Sequence, residues 1–166
     1  MARLVDTNIL VYRFDSLDPV KQRRASALLG KGITDGSLRV AHQSILEFVA
    51  AVTRPRKVLD GRALLTQTEA LLEAELLCLQ LPVLYASREV LSTAMRGATM
   101  YGLPWFDAQI WATAEVHGLD ELLSEDFQHG RHYGSVRAVN PFLAATGVHE
   151  LPALYEAPAP RRKSPA

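Results

Sequence analysis

Four carboxylates in this chain stand where packing alone would not choose them. Asp6 directly follows the apolar pair Leu4-Val5, so a strand ending there carries it to the sheet edge where α/β proteins bind ligands, although a cap on a following helix is an equal reading. Asp107 follows Trp105-Phe106, with Ile110, Trp111 and Ala114 at i+3, i+4 and i+7 on one helical stripe. A charge on such a stripe costs several kcal/mol unless a partner or a metal offsets it, more than the roughly 0.3–1 kcal/mol that a helix N-terminus returns. Glu47 lies among Phe48, Val49, Ala50 and Ala51, and Ser44-Ile-Leu-Glu47 also fits a capping box, in which Glu47 only closes a helix start. Asp126 ends Leu122-Leu-Ser-Glu-Asp126, a strand running into a polar cluster, and Glu125 competes for its role. No Lys or Arg adjoins Asp6, Glu47 or Asp107 in sequence. Brought together, these groups would repel and raise one another's pKa unless a hard divalent cation lay between them. Mg²⁺ or Mn²⁺ is the natural guest, since oxygen ligation with retained waters suits activation of a water and neutralisation of a phosphate.

The elements that must position these acids follow from pattern and punctuation. Leu4-Val5 predicts a strand, with Ile9 to Tyr12 read as the turn after it. Pro19 to Leu29 predicts a helix stopped by Gly30 and Gly32, Leu38 to Ala41 a strand, and Ile45, Phe48, Val49 and Val52 a helix ended by Arg54-Pro55. Gly61 to about Leu79 reads as one long Leu-rich helix with Glu69, Glu73 and Glu75 on its solvated face, followed by an extended Leu81-Pro-Val-Leu84. Ser87 caps the next helix, Gly102 breaks it, Pro104 opens another over Trp105 to His117, and Gly118 closes that. Strands at Leu119 to Leu123 and Val136 to Val139 complete the pattern. Strands alternating with helices predict a parallel sheet covered on both faces, a three-layer α/β/α sandwich.

Composition narrows the function. With 166 residues, 48% hydrophobic and 22% charged, the chain suits one globular domain, and its 18 Lys plus Arg balance 18 Asp plus Glu. A scaffold that holds nucleic acid by bulk positive charge is excluded, so any such contact is local. The single cysteine, Cys78, rules out an intramolecular disulfide framework and a multi-cysteine zinc site. Its neighbours Leu77 and Leu79 predict an inert core thiol. No apolar run is long enough for a membrane span, and Asp6 interrupts any leader, so a cytoplasmic location is expected. Residues 157–166 are Pro-rich and basic and are expected to be a disordered tail, preceded by an extension over 146–156.

Val5-Asp6-Thr7-Asn8, Ser44-Ile-Leu-Glu47, Phe106-Asp107-Ala108-Gln109-Ile110-Trp111-Ala112 and Leu123-Ser124-Glu-Asp126, in this order, together resemble the PIN domain. Within that family the chain looks most like the VapC-type toxin ribonucleases of bacterial toxin–antitoxin pairs. The resemblance covers about Leu4 to Leu143 and implies a nuclease domain over 1–145. It implies that Asp6, Glu47, Asp107 and Asp126 hold one or two Mg²⁺ or Mn²⁺ ions, while Thr7, Asn8 and Ser124 orient carboxylates or waters. The implied reaction is metal-assisted hydrolysis of RNA, and the implied partner is an antitoxin protein.

A homodimer is also expected, because Leu64, Leu65, Leu71, Leu72, Leu76, Leu77 and Leu79 give more apolar width than one sheet face covers. Arg54, Arg56 and Lys57, and Lys21, Arg23 and Arg24, are local cations able to meet RNA phosphates. Tyr101, Trp105 and Phe106 could stack a base near Asp107, whereas Trp111 belongs to the core. His129 and His132 are weak metal candidates. Two other readings compete: a catalytically silent PIN-like module binding RNA or protein, and a phosphotransferase using Asp6 as nucleophile in the manner of the haloacid dehalogenases, which usually carry an acid where Asn8 stands.

Overall fold

The computed structural model describes residues 2–143, so the expected extension and basic tail lie outside the described residues. The chain runs β1 (Arg3–Val5), α1 (Thr7–Tyr12), α2 (Pro19–Thr34), β2 (Leu38–Ala41), α3 (His42–Val52), a 3-10 turn (Lys57–Leu59), α4 (Gln67–Gln80) and β3 (Val83–Leu84). It continues through α5 (Arg88–Tyr101), α6 (Trp105–Val116), β4 (Glu121–Leu123), β5 (His132–Tyr133) and β6 (Val136–Val139). The sheet order is β3-β2-β1-β4-β6-β5, parallel throughout except for the edge strand β5 against β6.

Successive strand residues point to opposite faces, and each face has its own core. Val5, Leu38, Val40 and Leu123 pack with α1 to α4, including Ile9, Leu10, Leu29, Phe48, Ala74 and Leu77. Leu4, Ala41, Leu122 and Ala138 pack on the other side with Val90, Ala94, Ala108 and Trp111 of α5 and α6. These are the three layers expected. The chain leaves β1 toward β2 on one side and reaches β4 on the other, so the carboxyl ends of β1 and β4 flank a topological switch point, the usual ligand position in such sheets.

Several local expectations are corrected. Ile9 to Tyr12 is helix and not turn: Asp6 accepts a 2.6 Å hydrogen bond from the Thr7 backbone N–H and starts α1, which buries Ile9, Leu10 and Val11. Gly30 and Gly32 do not stop α2, which runs to Thr34. Gly32 lets the helix approach Leu38 so closely that a Cβ would overlap that side chain, and Gly36, with φ of 66°, makes the turn instead. The Leu-rich helix starts at Gln67 and not at Gly61, because Thr66 and Glu69 form a reciprocal capping box; Leu64 and Leu65 precede it. Cys78 is exposed and not in the core, since the buried face of α4 is Ala70, Ala74 and Leu77. The two-residue β5 was not foreseen.

Candidate active site

Asp6 emerges from β1 and Ser124 from β4, next to each other because their strands pair in parallel. The Ser124 hydroxyl donates to Asp6 Oδ2 at 2.6 Å, and the same oxygen of Ser124 accepts the Asp126 backbone N–H at 3.1 Å. Asp6 therefore caps α1 with one oxygen while Ser124 holds the other: the capping and functional readings coincide in one side chain. Burial pushes its carboxyl up to about 7, the charges of Asp126 and Asp107 adding to the rise and the Ser124 and Thr7 hydrogen bonds opposing it.

Glu47 projects from α3 toward α1. Its Oε2 accepts from the Thr7 hydroxyl at 2.8 Å and its Oε1 from Gln43 Nε2 at 2.7 Å. The capping-box reading fails here, because α3 begins at His42 straight out of β2, with no side-chain cap, and the buried Ser44 hydroxyl has no partner among the described residues. Asn8 Nδ2 donates to Asp126 Oδ2 at 3.0 Å, so the three polar residues singled out with the acids each hold one carboxylate: Ser124 holds Asp6, Thr7 holds Glu47, and Asn8 holds Asp126. Asp107, half-buried in the first turn of α6, is raised above the usual carboxylate range by burial, then by the charges of Asp126 and Glu47.

All four acids line one cavity of about 370 Å³, together with Thr7, Asn8, Tyr12, Asp15 and Arg56. Glu125 does not line it. Its carboxylate is bound by Lys21 Nζ at 2.6 Å and by the Tyr12 hydroxyl, and Lys21 also meets that hydroxyl at 2.8 Å. Burial opposes the Lys21 charge, but Glu125 and Tyr12 outweigh it and raise its pKa. Lys21 is thus occupied and not free for RNA, and Arg24 is turned to the Phe142 carbonyl. Arg54 and Lys57 are exposed, while Arg56 reaches the cavity. Tyr101 packs edge-on against Trp111 and Tyr133, which removes it from the stacking candidates; Trp111 is buried and donates to the Tyr133 carbonyl at 2.7 Å. Trp105 and Phe106 are exposed. His129 accepts the Asn140 backbone N–H, and neither it nor His132 lines the cavity.

Gln43 and Asp15 were not anticipated. Gln43 lies one helical turn before Glu47, a spacing that could have found it, whereas no local pattern marks Asp15. Among the described residues no three His, Cys, Asp or Glu side chains are drawn close enough together to enclose an ion as they stand. The donor set nonetheless fits a hard divalent cation that keeps waters: it is all oxygen, neighbouring carboxylates add to the raised pKa of Asp6 and of Asp107, and the buried Asn8 Oδ1 has no donor among the described residues.

The PIN domain family model matches residues 3–134. The chain belongs to the PIN domain family. This membership displaces the haloacid-dehalogenase reading. No curated protein matches the sequence significantly. Among solved structures, a toxin–antitoxin complex from Klebsiella pneumoniae is similar at 20% identity and a TM-score of 0.58, covering 84% of this chain and 98% of that one. VapC20 of Mycobacterium tuberculosis, a sarcin-ricin loop cleaving toxin, is similar at 12% identity and a TM-score of 0.56, over 73% and 87% of the two chains. DNA-bound VapBC from Salmonella typhimurium gives 12% identity and a TM-score of 0.58, over 83% and 96%. At these identities the PIN fold is what is shared. Among the described residues no helix is long and apolar enough to cross a membrane.

Proposed function

We propose that this PIN protein is a Mg²⁺- or Mn²⁺-dependent endoribonuclease and the toxin of a type II toxin–antitoxin pair. The observation that carries the reading is the convergence of Asp6, Glu47, Asp107 and Asp126 on one cavity at the switch point, three of them held by a dedicated donor. Those four residues would hold the cation. When bound, it supplies charge neutralisation for a phosphodiester and lowers the pKa of a water. The protein's own part is orientation. Ser124 and the Thr7 N–H leave Asp6 little rotational freedom, Thr7 and Gln43 fix both oxygens of Glu47, and Asn8 restrains Asp126. Glu125, tied up by Lys21 and Tyr12, gives the fourth place to Asp126.

RNA as substrate is supported by the cleaving activity in the name of one structural neighbour, and an antitoxin partner by neighbours solved as toxin–antitoxin complexes. A homodimer is supported by the solvent-facing side of α4, where Leu71, Leu72, Leu76 and Leu79 are all exposed. A cytoplasmic location follows from that activity. The silent-module reading is disfavoured because no member of the acidic set is missing. Incubation of the full chain with single-stranded RNA tests the proposal. Cleavage is expected with Mn²⁺ and none with EDTA or in Asp6→Asn; absence of cleavage by the wild type with either metal, or equal cleavage by the variant, overturns it.

A further inference from the structure

Among the described residues that line the acidic cavity one is cationic, Arg56, and its placement is specific. Arg56 comes from the loop after α3 and donates through Nη1 to Asp15 Oδ2 at 2.7 Å. Asp15 is itself buried and follows α1, and its other oxygen accepts the Leu17 backbone N–H at 3.1 Å. The loop is braced in turn: the Arg56 N–H bonds to the Arg62 carbonyl, and the Leu65 N–H to the Val52 carbonyl. The guanidinium is thus held at one edge while its side chain stays about a quarter exposed, and among the described residues its one side-chain hydrogen bond is that to Asp15. A guanidinium has five N–H donors in a fixed fork, so a carboxylate on one edge leaves the other edge for a second planar or tetrahedral oxyanion.

We propose that Arg56, anchored by Asp15, is the phosphate-binding residue of the cavity and grips single-stranded RNA at a phosphate flanking the one that is cut. The inference rests on the nuclease reading of the same cavity. A substrate strand is a row of negative charges entering a pocket of carboxylates, and a chain of zero net charge offers no general attraction to offset that. A bound cation would answer for the phosphate at the acids; a neighbouring phosphate needs its own counter-charge, which Arg56 supplies from the lining of the same cavity. Asp15 acts as a positioning residue: it fixes the guanidinium before the strand arrives, which lowers the ordering cost on binding.

The test is fluorescence anisotropy of a labelled, 2′-O-methylated single-stranded RNA, with the full-length protein in Ca²⁺ to hold the probe intact, titrated at several salt concentrations. Arg56→Ala is expected to weaken binding about tenfold and to reduce the slope of log K against log salt by about 0.7, the loss of one single-strand phosphate contact. Arg56→Lys should keep the slope and lose only part of the affinity, because an ammonium cannot serve Asp15 and a phosphate through one fork. Because Arg56→Ala leaves Asp15 buried without its partner, the double variant Asp15→Asn with Arg56→Gln, which removes both charges, provides a folded control with the same loss of slope. Unchanged affinity and slope in the Arg56→Ala and double variants, or no binding of the probe by the wild type, overturns the proposal. Parallel cleavage assays in Mn²⁺ separate the two readings: wild-type cleavage with Arg56-independent binding removes this inference alone, whereas Arg56-dependent binding without wild-type cleavage removes the nuclease reading, and with it the flanking position, while Arg56 stands as the phosphate contact.

Discussion

Two cavities of the same volume, about 370 Å³ each, lie on different parts of this molecule. One is the acidic cavity at the carboxyl ends of β1 and β4. The other lies between α5 and α6, lined by Glu89, Thr93, Arg96, Tyr101, Trp111 and Glu115 among others. Both contain charges, and size does not separate them. The difference lies in what the charges already do. In the α5–α6 cavity Arg96 is bonded to Thr93, while Glu115 accepts both the backbone N–H and the hydroxyl of Ser135. In the acidic cavity Arg56 pairs with Asp15, but the donors to Asp6, Glu47 and Asp126 are uncharged and position these carboxylates without neutralising them, Asp6 is driven up to about 7, and among the described residues a buried amide oxygen lacks a donor. On the proposed function, what distinguishes the site is unmet electrostatic demand and not empty space.

That contrast can be broken most directly by mutating both cavities. Glu47→Gln and Asp107→Asn should each lower Mn²⁺-dependent RNA cleavage by about 10²–10³-fold or more, while Glu89→Gln and Arg96→Ala should stay within about threefold of wild type. A comparable loss from either α5–α6 variant would erase the distinction.

The next effect is on stability. With its native pKa raised to about 7 against an ordinary value of 3.8, Asp6 binds more protons in the folded than in the unfolded state between those values. Stability from this group is therefore greatest at low pH and declines as pH rises toward about 7, by at most about 1.4 kcal/mol per pH unit. Melting of the metal-free protein from pH 5.5 to 8 should show Tm falling as pH rises and then levelling. Asp6→Asn should remove most of that slope, and substitutions in the α5–α6 cavity should leave it in place.

The smallest effect concerns Ser44. Its buried hydroxyl has no partner among the described residues, so Ser44→Ala should leave stability to chemical denaturation unchanged or slightly higher, within about 1 kcal/mol, with cleavage retained. A loss of 1–2 kcal/mol would restore the capping role.

Ser44 also shows where the amino-acid sequence was legible and where it was not. Ser44-x-x-Glu47 and Thr66-x-x-Glu69 are the same pattern, yet only Thr66 caps a helix, because α3 is launched directly from β2 and already contains Ser44. Asp6, Ser124 and Asp126 could be placed because they follow apolar runs long enough to read as strands, and strand ends meet at a predictable edge of a parallel sheet. The three layers were readable for the same reason. What separates Glu125 from Asp126 is not local, since Glu125 is bound by Lys21, 104 residues away, while Asp126 lines the cavity. The six-residue α1 was too short for its period to register, and it rests on the cap supplied by Asp6. Arg56 stood out only as one of several cations until Asp15, 41 residues distant, gave it a fixed direction.

Asp107 differs from Asp6, Glu47 and Asp126, each held by a side-chain donor; no hydrogen bond contributes to its raised pKa, and its place is inherited from the seating of α6. That seating is tight. A Cβ on Gly97 of α5 would overlap the ring of Trp111 of α6, and the ring cannot swing aside without giving up its bond to the Tyr133 carbonyl. In genetic terms, with the toxin function proposed above, a selection for survivors of the expressed protein should return replacements at Gly97 as well as at the carboxylates. The Gly97 alleles should be conditional, active when cool and lost on warming, because they loosen a helix contact instead of deleting a charge.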